Sequence, residues 1–158
     1  MKYIRPTPFL TVFLFLGVML ACEPEKNEFI ALDHLTFTNS YYKNAVKISY
    51  YVLMTNPNAK DEKLKNMIVQ YVKNRLRNDQ SLTKAEVTSL NFVFYKKTGN
   101  TSYFIKHKEN SGGLSSEEIA HYKEDYIANY YVSKCGGGRT EKIYLHDLPE
   151  EMIYSNCK

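Results

Sequence analysis

The chain has 158 residues and a formal net charge of +4, too mild for the concentrated basic footprint of a nucleic-acid binder. Its length suits one ordinary domain with a real core. Fourteen tyrosines and no tryptophan suit half-buried strand positions, where the ring packs and the hydroxyl reaches water.

In chain order, Lys2 and Arg5 precede an apolar run from Phe9 to Leu20, broken only by Thr11 and Gly17, and Ala21 then stands before Cys22. This is the plan of a secretory signal peptide. A helix over Phe9–Leu20 would span ~18 Å, short of the ~30 Å bilayer core. Met19-Leu20-Ala21-Cys22 resembles the lipobox of bacterial lipoproteins, with Met19 where Leu is commoner. The resemblance implies that residues 1–21 are removed and that Cys22 is the lipid-attachment site, tying the mature chain to a membrane through acyl chains. It also implies an outer rather than an inner membrane, because Glu23 follows the cysteine and not the Asp that retains some lipoproteins inside. The membrane face is left open. Loss of Lys2 and Arg5 lowers the charge by two. Residues 22–28 read as a polar tether, and 29–158 as a single domain for which no family resemblance is found.

Two thiols then remain, Cys135 and Cys157. An even pair in an exported chain is expected to form a disulfide. Phe29 to Phe37 reads as an opening strand or packed arm, and Asn39 to Asn44 as a polar turn. From Lys47 to Thr55, Ile48, Tyr50, Val52 and Met54 recur with period two, which predicts a strand with those residues on its core face. Asn56-Pro57 is a helix-start signal, and Leu64, Ile68, Tyr71, Val72 and Leu76 recur at helical spacing, predicting a helix over 58–77. Leu90–Lys97 and Ser102–Lys108 flank Thr98-Gly99-Asn100-Thr101 like the arms of a β-hairpin. Ser115 and Glu118 predict a capping box opening a short helix to about Lys123. Tyr126–Ser133 and Thr140–His146 are expected to pair across Gly136-Gly137-Gly138, and Pro149–Tyr154 to form one helical turn. The sum is an α+β domain: a mostly antiparallel sheet with one long helix packed on a face.

Chemistry-bearing patterns are sparse. His34, His107, His121 and His146 make no His-x-x-x-His pair, and there is no Cys-x-x-Cys, so no metal site is expected. Cys135-Gly-Gly-Gly-Arg139 lacks the Gly-Lys-Ser/Thr ending of a phosphate loop and reads as a hairpin turn. No nucleophile elbow, zinc-protease motif or cofactor loop is present, so the reading is non-enzymatic, with no catalytic residue and no cofactor assigned. Two surface features remain. Lys63, Lys73 and Arg77 fall away from the apolar stripe of the helix, usually a solvated face and alternatively a dock for an acidic partner or anionic headgroups. Tyr51 and Tyr95 lie opposite the stripes Ile48/Tyr50/Val52/Met54 and Phe92/Phe94, and are the tyrosines expected to face outward. The function expected is a lipid-anchored binding module of the cell envelope. Its partner is expected to be another envelope or secreted protein, or a glycan, and not nucleic acid. The alternatives are an immunity or inhibitor protein blocking a toxin or enzyme, and a small hydrolase without a recognisable motif.

Overall fold

The structure is a computed structural model that describes residues 27–42, 45–57, 61–146 and 148–158. The signal, Cys22 and residues 23–26 of the tether lie outside the described residues. Among the described residues no helix is long and apolar enough to cross a membrane.

The domain is mixed α/β and mostly sheet. Seven strands form one sheet: β1 (Phe29–Ala31), β2 (Phe37–Tyr42), β3 (Ala45–Met54), β4 (Val87–Lys96), β5 (Tyr126–Cys135), β6 (Gly138–Leu145) and β7 (Glu151–Ser155). The spatial order is β1-β3-β4-β5-β6-β7, and β2 also pairs with β3. β1 follows the last residues of β3 and β2 the first, so the two make one interrupted edge. β3 and β4 are parallel, and the other described pairs are antiparallel. Parallel neighbours need a long crossover, which here contains α1 (Asp61–Asn78).

Side-chain alternation sends the sheet into two cores. On the first face, Val52, Met54, Leu90, Phe92, Phe94, Tyr130, Val132 and Ile143 share a cluster with Leu64, Ile68, Val69 and Val72 of α1. On the second face, Tyr51, Leu53, Val93 and Tyr95 share a cluster with Leu32, Leu35, Phe104 and Tyr122. Leu32 and Leu35 come from the break between β1 and β2. Phe104 comes from α2 (Tyr103–Lys106), and Tyr122 follows α3 (Ser116–His121).

Four local expectations fail, three of them for identifiable reasons. Thr98–Thr101 does not turn a hairpin. Thr101 Oγ1 donates to the Lys96 carbonyl at 2.7 Å and Ser102 Oγ to the Thr98 carbonyl at 2.6 Å, winding the chain into α2. Phe104 is thereby laid against Tyr122, ring centroids 4.6 Å apart. Residues 39–42 are strand, because the first half of β3 requires an edge partner for its backbone groups. Glu151–Ser155 is strand β7, since pairing along β6 outweighs a marginal isolated helical turn. Asn56 takes φ 46°, not the extended geometry of a helix cap. The capping box of α3 forms: Glu118 N donates to Ser115 Oγ at 3.2 Å and Ser115 N to Glu118 Oε2 at 2.8 Å.

Candidate binding face

The second face of the sheet is only half covered. At one end Tyr51, Leu53, Val93 and Tyr95 are packed beneath the α2 and α3 segments. Toward the other end the same strands turn polar. Cross-strand register there runs Phe37, Ser49, Asn91, Tyr131, Lys142, Met152, one residue from each of six strands. Six strands at ~4.8 Å spacing extend about 24 Å. Neighbouring rows add Lys47, Ser89, Ser133 and Thr140 on one side, and Asn129 with Tyr144 on the other.

The polar row is built from linked side chains. Asn129 Nδ2 donates to the Tyr131 hydroxyl at 3.2 Å, leaving the phenol proton of Tyr131 for another acceptor. The Lys47 ammonium lies 5.3 Å from the centroid of the Tyr131 ring, and the Tyr144 ring meets Tyr131 edge-on at 5.6 Å. Glu150 is held by the Tyr144 hydroxyl and by Lys142 Nζ at 2.6 Å. Those bonds, Lys142 first and then Tyr144, keep the Glu150 carboxyl below its ordinary range. Burial raises the Tyr131 phenol, the Asn129 bond opposing it. Tyr131, Ser133, Thr140, Lys142, Tyr144 and Glu150 line an open groove of ≈ 350 Å³.

Two atoms in this region are unpaid in hydrogen bonds: the side-chain carbonyls of Asn91 and Asn129 are buried without a partner. Asn91 as a whole is 7 % exposed. A buried unpaired acceptor costs about 1–3 kcal/mol, and Val93, the next residue of β4 on the same face as Asn91, shows that this face of the strand carries apolar residues. The face is therefore polar against the interest of folding.

The predicted site residues are distributed differently. Tyr51 is 7 % exposed and Tyr95 2 %. They stand on the face opposite the main core, as alternation requires, but that face has its own core and neither offers a surface. Leu114 N donates to the Tyr51 hydroxyl at 3.4 Å, so the 110–114 loop closes over it. Lys63, Lys73 and Arg77 are exposed on α1, on the other side of the sheet from the polar row. Cys135 and Cys157 are joined, with Cα atoms 5.6 Å apart. The Gly136–Gly137 turn joins β5 to β6, with φ 30° and 94°. A Cβ at Gly138 would meet the Asn156 carbonyl at 2.5 Å, so this strand end admits only glycine. Among the described residues no cluster of three or more His, Cys, Asp or Glu is placed to hold a metal.

Sequence reasoning passed over Asn91, Asn129 and Tyr144, and took Tyr131 only as one of the adjacent pair Tyr130-Tyr131, of which one ring faces outward. A signal was present: Asn is depleted in strands, yet it occupies the interior of two, as Leu90-Asn91-Phe92 and Ala128-Asn129-Tyr130. Compared with protein-family models, with curated proteins and with solved structures, the chain matches none.

Proposed function

We propose that this protein is a lipid-anchored binding module of the bacterial envelope, and that its partner docks on the polar half of the second sheet face. The sequence supports the anchor, through the basic, apolar and small-residue order that ends at Cys22. In this reading α1 is a long brace over the first face, and the strands hold the contact residues rigid. The carrying observation is the row from Phe37 to Met152. It crosses the sheet over about 24 Å, and its two ends are exposed apolar side chains, 38 % for Phe37 and 51 % for Met152. Apolar ends around polar, aromatic and charged groups, spread over that width, suit a protein partner more than a small molecule. The face supplies amide, hydroxyl, phenol, ammonium and carboxylate groups on fixed backbone, which is recognition chemistry.

Binding and stability separate under substitution. Tyr131→Ala with Tyr144→Ala should abolish enrichment of the envelope partner captured by the full-length protein, with little change in melting temperature. Asn91→Val should raise stability by up to about 1–3 kcal/mol, because an unpaired buried acceptor disappears, and should weaken the same capture. Undiminished capture by both variants would exclude this face.

A further inference from the structure

We infer that the outer face of α1 rests on the membrane surface against anionic headgroups and that the polar row is turned away from the bilayer, an inference that rests on acylation of Cys22. The first described residue is anchored beside this helix. With its amide nitrogen turned toward β3, Asn27 donates to the Thr55 carbonyl at 3.2 Å and to that of Asn56. The same side chain lies 3.6 Å from Met67 Sδ on α1. Two residues on, Phe29 stacks on Tyr71 of α1 with ring centroids 4.5 Å apart. The chain thus joins the domain at the exposed flank of the helix. From Cys22 to Asn27 the backbone reaches at most ~18 Å even when fully extended. That is less than two helix diameters of about 10–12 Å. A leash of this reach holds the α1 flank, and not the far face of the sheet, next to the acyl chains.

The composition of that flank agrees. Asp61 and Glu62 open the helix, Glu62 lining the groove on this flank and pairing with Lys65, and from Lys63 to Asn78 there is no Asp or Glu. Lys65 is taken by Glu62 and Glu151, and Arg75 by Asp33. Lys63, Lys73 and Arg77 are exposed and have no carboxylate partner among the described residues. Asn66, Gln70 and Asn74 stand exposed among them. Phe29, Met67 and Tyr71 contribute the apolar lining of a groove of ≈ 770 Å³ beside the point where the leash leaves. Free cations and amides around an apolar floor are what the headgroup layer of an anionic membrane accepts.

The absence of tryptophan makes a direct test available, because one introduced Trp reports only its own surroundings. Gln70→Trp reports on α1. His121→Trp reports on α3, whose following residue Tyr122 belongs to the second-face core. Each full-length protein, expressed with its signal, is reconstituted in phosphatidylcholine vesicles with or without phosphatidylglycerol, some headgroups carrying a nitroxide quencher. With phosphatidylglycerol present, Gln70→Trp should be quenched severalfold more than His121→Trp. Reversing Lys63, Lys73 and Arg77 to Glu should remove that difference. Equal quenching at the two positions, in protein that floats with the vesicles, overturns the orientation and leaves the anchor standing. A difference that survives charge reversal overturns the headgroup contact. Protein that does not float with the vesicles overturns the anchor and the orientation together.

Discussion

Asp79, the residue after α1, ties the end of the helix to β3. Its carboxylate accepts from the Tyr50 hydroxyl at 2.6 Å and from Ser81 N at 2.8 Å. The Tyr50 ring is in turn stacked on Phe92, with the Arg75 guanidinium 5.9 Å from its centroid. Partial burial by itself raises the Asp79 carboxyl. The hydrogen bonds from Ser81 and Tyr50, helped by the charge of Arg75, outweigh it and hold the group below 3.8. Burial first, and then the Asp79 bond, push the Tyr50 phenol up to about 12. A depressed carboxyl stabilises the fold above its unfolded value and loses that contribution as pH falls through the folded one. Asp79→Asn should therefore lower stability at neutral pH and flatten the acid limb of the stability curve below pH 3.8, measured by urea unfolding at stepped pH. An unchanged acid limb would remove Asp79 from the acid response. Little of this was legible beforehand, since Asn78-Asp79-Gln80-Ser81 reads only as a helix stop. The Tyr130-Tyr131 pair shows the limit in another way. Alternation requires one ring in and one out, but a register slip of one residue would exchange them. Only pairing of Tyr130 with Phe92 and Ile143 sends Tyr130 into the core, where its hydroxyl meets the buried Glu141 at 2.5 Å.

At the scale of elements, strong periodicity was readable and context-dependent pieces were not. The stripe Leu64, Ile68 and Val72 is buried as its spacing demands, and Ile68 is fully enclosed by the first-face cluster. Ile68→Ala should then cost ~2–4 kcal/mol through lost burial and a residual cavity, seen as a lower unfolding midpoint. A midpoint within error of the parent would mean that the helix is not held through this residue. β3 was likewise evident from Ile48, Tyr50, Val52 and Met54. The misread segments, 39–42, 102–106 and 151–155, are short, and their states follow from distant partners: the edge of β3, the apolar half of the second face and the edge of β6. Propensity over four or five residues is a weak guide beside such pairing. The misplacement of Tyr51 and Tyr95 has the same origin. Alternation showed which side of the sheet they occupy, but the cover over that side comes from Leu32, Leu35, Phe104 and Tyr122, which no local pattern connects to them.

For the whole molecule, the cross-link of Cys135 to Cys157 fastens the chain beyond β7 to the end of β5. Residue pairs 22 positions apart enclose a loop whose closure stabilises a fold by about 3 kcal/mol in the chain-entropy model. Cys135→Ser with Cys157→Ser should lower the unfolding free energy by about that amount, and amide hydrogens of β7 should lose protection before those of β4. Equal stability with and without the cross-link would show that β7 is held by its pairing to β6 alone. The parallel pairing of β3 with β4 at the middle of the sheet governs a different property, the order in which the molecule assembles. Lys47 must find Ser89, and no bond between the two strands forms until residues 55–86 have been gathered. The entropy of that closure is lost before any contact compensates it. The β5–β6 hairpin needs only the Gly136–Gly137 turn, so the second half of the chain can organise on its own. In the first half β2 pairs with β3 locally, but β3 lacks its inner neighbour until β4 arrives. During synthesis the sheet therefore closes around its centre only after β4 has followed.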